Sequence, residues 1–314
     1  MKTMKHLGIA AAFALLLLSS QDASAAGVAL DATALPPAAR AELVKEIARA
    51  KSEVPDLVRQ VHEVAAHARD LDQGSRLPGA PLTMHFKSLG ARAFGPMMEL
   101  LAFDAQSAKD LSGTPQAALR LGLIEAIGII RDSRAIPVFA NLVEAKSSDF
   151  DTQRAAAEGL ARIGTDEALT ALTKSVSAVR GTERERAILA GLHDARREAA
   201  AKLLASRLDA PDTDEATAKV AAKSLGGVGN AWAWKTVSQA RSEEAATRSL
   251  AARALVKTYL RFTGEARDQA AKSLLVVDDP STASLVAEAK KSANADALRA
   301  LTDLERRLTK NPTH

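Results

Sequence analysis

The 314-residue chain has no cysteine and only ten aromatic residues: seven Phe, two Trp and one Tyr. Without thiols it has no disulfide framework, no Cys-ligated zinc and no thiol nucleophile. Scarce aromatics and sparse β-branched runs argue against a β-sandwich or barrel, whose strands alternate such residues with polar ones. A strong charge of one sign is also missing: 42 Lys and Arg against 38 Asp and Glu leave a net charge of +4. The basic doublets Arg196-Arg197, Lys290-Lys291 and Arg306-Arg307 sit among acidic residues. That is the pattern of solvated helix faces, not of a nucleic-acid patch. What the chain has in abundance is alanine, 67 residues within a hydrophobic content of 47%. Such a composition folds, and it favours helix. The length allows one compact domain, two domains or an elongated array.

Residues 1–25 read as a secretory signal peptide. Lys2, Lys5 and His6 give a positive start, and Leu7 to Leu18 form an uncharged apolar run. Polar residues follow, and then the small triplet Ala23-Ser24-Ala25, which predicts cleavage before Ala26. Twelve helical residues rise only about 18 Å, too short for a hydrocarbon core of roughly 30 Å. No Cys follows the run, so a lipid-anchored lipoprotein is excluded, and no later stretch reaches spanning length. The expected location is therefore periplasmic or extracellular, with no membrane span after cleavage.

An internal repeat organises most of the remaining chain. Ala135, Ala168, Ala200, Ala233 and Ala266 follow one another at intervals of 33, 32, 33 and 33 residues. Each opens a segment with apolar residues at helical spacing, such as Ile136-Phe139-Leu142-Val143. Leu160, Leu192 and Leu225 each lie eight residues before one of these alanines, marking a preceding helix. Gly164 and Gly229 suit the left-handed position that closes a helix, and Asp166 or Asn230 suits the cap of the next. The unit is one αα-hairpin of about 33 residues, repeated.

These segments resemble HEAT repeats, in particular the bacterial HEAT-like type of phycobilisome lyases. The stretch from Glu125 to Pro137 is similar to that family's Ala-Leu-Gly-x-Ile-Gly-Asp-x-x-Ala-x-Pro pattern, and Leu89 to Leu101 is a weaker copy. The resemblance implies an all-α fold: an α-solenoid, a right-handed superhelix of stacked antiparallel helix pairs. On this reading the array covers 82–309, and a charged helical cap covers 37–73. Residues 26–36 are a flexible start to the mature chain. Alanine at the contacts lets helices approach closely. Leu160, Ile163, Leu172, Leu225, Trp234, Leu255, Leu274 and Leu275 fill the layers between them.

The usual catalytic signatures are missing. His62 and His67 are five residues apart, so their imidazoles diverge by about 140° around a helix and do not form a zinc pair. Gly226-Gly227-Val228-Gly229 follows a helix, not a strand, and reads as a helix end and turn. There is no phosphate loop, no Gly-x-Ser-x-Gly and no His-Glu metal motif of the HEAT-like hydroxylases. No catalytic, cofactor or metal residue is expected.

The expected function is a non-enzymatic scaffold for a protein or peptide partner, through a concave surface lined by the second helices or through the turns. Trp234 aligns with Leu169 and Ile136 and should be core, whereas Trp232 aligns with the polar Glu167 and Arg134. Trp232 is thus either a partner anchor or packing for the next turn. Arg134, Glu167, Arg196 and Arg197 are the accompanying candidate contacts. The resemblance also leaves open a lyase-like enzyme, and more remotely a nucleic-acid binder.

Overall fold

The computed structural model describes residues 26–77, 79–236 and 240–311; residues 1–25, which carry the signal reading, lie outside it. All regular elements among the described residues are helical. Three of them precede the array: α1 (Pro37–Glu53), α2 (Pro55–Ala66) and α3 (Ala68–Asp72). The array then runs through α4 (Ala80–Ser88), α5 (Phe94–Met98), α6 (Thr114–Ile130), α7 (Ile136–Glu144), α8 (Phe150–Ile163) and α9 (Asp166–Ala178). It continues with α10 (Glu183–Gly191), α11 (Glu198–Asp209), α12 (Glu215–Val228), α13 (Ala231–Lys235) and α14 (Glu244–Arg261). The last elements are α15 (Glu265–Val277), α16 (Thr282–Lys291) and α17 (Ala295–Thr309). The fold is an all-α solenoid of two helical layers.

Polar caps set the helix starts. Asp149 and Asp214 each accept the N–H three residues on, at 2.7 Å, and Thr182 does the same for Glu185 at 3.3 Å. The cap of α9 is Thr165, one residue before the expected Asp166. Gly164 adopts the left-handed conformation, with φ +67°. Gly229 does not, with φ −86°. A Cβ at Gly229 would lie 2.9 Å from Val277 Cγ2, so this glycine is set by packing and not by backbone conformation.

The first layer is α4, α6, α8, α10, α12 and α15, all parallel neighbours. Their contact faces carry Ala118, Ala126, Ala155, Ala156, Ala157, Ala221 and Ala222, all buried. At Gly128 and Gly191 even alanine would be too large. A Cβ on Gly128 would stand 2.9 Å from Gly159 Cα. One on Gly191 would stand 2.6 Å from Ala157 Cβ and 2.7 Å from the Arg154 carbonyl. The second layer is α5, α7, α9, α11 and α14, and α7, α9 and α11 touch one another only sparsely.

The register of the repeat changes after α12. The helix that opens at Ala231 stops at Lys235, and the second-layer path is completed by α14, which runs parallel to α11. Arg261 donates to the Leu208 carbonyl at 2.8 Å, and Glu243 accepts from the Glu198 N–H at 2.6 Å. The helix α15 then returns to the first layer beside α12, with Ser273 Oγ donating to the Ala222 carbonyl at 2.8 Å. Ala266 thus belongs to a first helix, although the 33-residue interval placed it in a second. Sequence spacing alone does not record which layer a helix enters.

The segment expected to be flexible, 26–36, is packed. The Val28 and Ala29 N–H groups donate to the carbonyls of Leu100 and Leu101, both at 3.0 Å. Those carbonyls belong to a wide π turn, Glu99–Phe103, that ends α5 and leaves them without a helical partner. Val28, Ala32 and Leu35 are buried. The cap α1 lies along α5. Gly191→Ala tests the close first layer: it is expected to cost about 2 kcal/mol in chemical denaturation. Unchanged stability would contradict the helix spacing.

Candidate partner-contact surface

The turns between layers bring the candidate residues to one edge of the solenoid, but they are not equally free there. Arg134 donates to Asp132 at 2.6 Å and to Glu46 of α1 at 2.6 Å, and lies 4.7 Å from the Phe94 ring centroid. It therefore fastens the cap to the array. Burial works to raise the pKa of Glu46, but hydrogen bonds from Arg49 and Arg134 outweigh it and hold the carboxyl below its ordinary 4.5. Asp132 shows the same balance, burial against Arg134, and stays below its ordinary 3.8.

Arg197 is equally committed. It meets Glu243 at 2.9 Å and Asp166 at 2.8 Å, and it donates to the Gly164 carbonyl, closing three turns together. Arg196 lies mostly buried, donating to the His193 carbonyl at 2.9 Å, with Asp194 at 3.9 Å. Burial lowers its pKa, as it does that of His193. Glu167 is exposed and makes no hydrogen bond or ion pair among the described residues.

The two tryptophans divide as their repeat positions suggest. Trp234 is fully buried, and its Nε1–H donates to the Val228 carbonyl at 2.9 Å. Trp232 is 63% exposed. Asn230 Oδ1 accepts from its backbone N–H at 2.9 Å, and Lys235 Nζ stands 3.9 Å from its ring centroid. One ring face is thus covered by a cation and the rest is open to solvent. Of the five candidates, Trp232 and Glu167 are available for contact, whereas Arg134, Arg197 and most of Arg196 are used within the fold. Lys235 was missed, although its place three residues after Trp232 puts it one helical turn away.

The first-layer helices α6–α10 offer less. Arg120 bonds Asp149 at 2.5 Å, Arg154 bonds Glu158 at 3.1 Å, and Arg162 bonds Asp194 at 2.9 Å and also reaches Glu158. Burial raises the pKa of Glu158 against these two arginines. The charges along α6–α10 therefore largely satisfy one another. His62 and His67 make separate bonds, to Ser107 and to the Glu63 carbonyl, each at 2.9 Å. Among the described residues no three His, Cys, Asp or Glu side chains gather as metal ligands, and no helix is long and apolar enough to cross a membrane.

The HEAT repeats family matches residues 108–192, which run from just before α6 to the end of α10. This part of the chain is similar to HEAT repeats. No curated protein matches the chain. Among solved structures, human deoxyhypusine hydroxylase in complex with glycerol is similar at 16% identity, over 80% of this chain and 97% of that one, with a TM-score of 0.31.

Two outcomes follow from this edge. Trp232→Ala should leave thermal stability nearly unchanged, whereas Trp234→Ala should lose about 3–5 kcal/mol, as read by denaturant melts of both variants. Carboxylates held below their ordinary pKa stabilise the fold above that value and lose the contribution as pH falls. Stability of the parent protein should therefore decline from about pH 4.5 downward. Arg134→Ala should flatten that decline; an unaltered pH profile would show that the cap is held elsewhere.

Proposed function

We propose that the chain is an exported, non-enzymatic scaffold that binds a protein or peptide partner through the turn edge carrying Trp232. The observation that carries this reading is the exposed Trp232 ring, braced by Lys235 on a five-residue helix whose other tryptophan is buried. A large aromatic at the surface contributes much contact area with few rotatable bonds, which is why such residues dominate binding hot spots. Glu167 two turns earlier supplies a free charge for selectivity at the rim. Similarity to HEAT repeats supports the scaffold reading by analogy of architecture.

Export rests on the tripartite pattern of residues 1–25. Its test is fractionation of expressing cells with N-terminal sequencing: an exported chain beginning at Ala26 is expected, and an unprocessed cytoplasmic chain would overturn it. For binding, a photoreactive amino acid at position 232 should capture a discrete partner in intact cells, and the same group at the exposed Lys202 of α11 should not. Equal capture at both positions would remove Trp232 as the anchor.

A further inference from the structure

One stretch of the turn edge carries more positive charge than its neighbours neutralise. Arg131, Gly164, Arg196 and Gly229 each lie four residues before an alanine of the repeat, so they hold equivalent places in successive turns. Gly164 brings no side chain of its own to the turn between the two arginines. Burial lowers the pKa of Arg196, Asp194 opposes that, and the nearby charge of Arg131 lowers it further. Arg131 is exposed, and its side chain makes no hydrogen bond or ion pair among the described residues. Its chain neighbour Asp132 does not neutralise it, because both oxygens of that carboxylate accept from Arg134. Arg196 has one hydrogen bond, to the His193 carbonyl, and Asp194 stands beyond hydrogen-bond reach at 3.9 Å.

Asp194 is itself shared, with Arg162 at 2.9 Å and His193 at 3.7 Å. Lys223 of α12 is exposed and has no ion pair or hydrogen bond of its side chain among the described residues. It stands one turn before Gly227, against which the His193 ring packs so closely that a Cβ would not fit. Glu158 answers Arg162 but also Arg154. Even with Glu158 counted wholly here, it and Asp194 leave Arg131, Arg162, Arg196 and Lys223 with two positive charges in excess. Glu167 bonds none of the four, and its charge would still leave one. Arg197 adds nothing, because Asp166 and Glu243 hold it. An unpartnered arginine beside a mostly buried one suits a planar anion, which guanidinium forks bind in line. A nucleic acid would need many phosphate contacts along a groove, and the charges of α6–α10 beside this place are largely paired. We propose that Arg131 and Arg196 receive an Asp or Glu side chain of the bound partner, which turns an acidic surface to this edge. The inference rests on the scaffold reading for its partner, but its chemistry belongs to the two arginines.

The test titrates the purified protein with a blocked hexapeptide holding two central glutamates, and with its glutamine analogue, which keeps the shape and lacks the charge. Side-chain Nε–H resonances of Arg131 and Arg196 report occupancy. The glutamate peptide should shift both and bind about tenfold more tightly than the glutamine peptide, with the difference shrinking as salt rises. Arg131→Gln removes an exposed side chain that has no partner, so it should keep the melting temperature and abolish most of that difference. Lys146→Gln removes the same charge from the exposed loop between α7 and α8, and should leave the difference whole.

Equal affinities for the two peptides, or no shift at either arginine, would overturn the proposal, and both readouts need only the parent protein. Equal weakening by Arg131→Gln and Lys146→Gln would also sink it, since net charge alone would then account for binding. Inorganic phosphate that displaces the peptide and binds more tightly would reassign the place to a free anion. Glutamate-peptide binding that persists when crosslinking at position 232 fails would overturn the Trp232 anchor and leave the arginine pair standing.

Discussion

The rest of the structure depends on the close approach of the first-layer helices. Where α6 passes α8, glycine faces glycine at Gly128 and Gly159, and where α8 passes α10 the backbone around Arg154 and Ala157 leaves no room for a Cβ at Gly191. Burial of many small contacts then substitutes for a few large ones, each weak alone and large in sum. The abundance of alanine follows from this spacing, because any larger residue along these faces would separate the helices. With no cysteine in the chain, continuity between repeats has to supply what cross-links supply elsewhere.

That spacing also decides which surfaces remain for binding. A tight first layer draws the charges of neighbouring helices together, and Arg120, Arg154 and Arg162 are each matched by a carboxylate. The charges along α6–α10 are thus largely paired among themselves. The turns are where successive repeats differ most: one is sealed by Arg134 and the cap, one by Arg197 and Glu243, and one ends in an exposed Trp232. Trp232 stands in the first turn of the short α13, whose other tryptophan is buried. Partner contact on a solenoid falls most readily where the repeat is broken.

Much of the fold was legible in the sequence because its periodicity is set by packing. Intervals of 33 and 32 residues between Ala135, Ala168 and Ala200 mark α7, α9 and α11, which do occupy equivalent places in the second layer. The same interval to Ala266 misleads, because Ala-rich helices of either layer carry similar apolar faces and spacing is silent on direction. The burial of Trp234 was legible from its alignment with Leu169 and Ile136, whereas the polar positions aligned with Trp232 left both an anchor and packing open. The roles of Arg134 and Arg197 were not, since their partners Glu46 and Glu243 lie 88 and 46 residues away in the chain. The docking of Val28 on Leu100 was hidden for a similar reason: the π turn that frees the carbonyls has no sequence mark.

The central claim is that the first layer is the rigid spine and the turn edge the adaptable surface. Hydrogen–deuterium exchange resolved by segment tests it most directly. The account predicts that amides of α8, α10 and α12 exchange only near the global unfolding limit, while those of α13 exchange early. Protection of α7 and α9 equal to or greater than that of α8 and α10, or an α13 as protected as the spine, would contradict it.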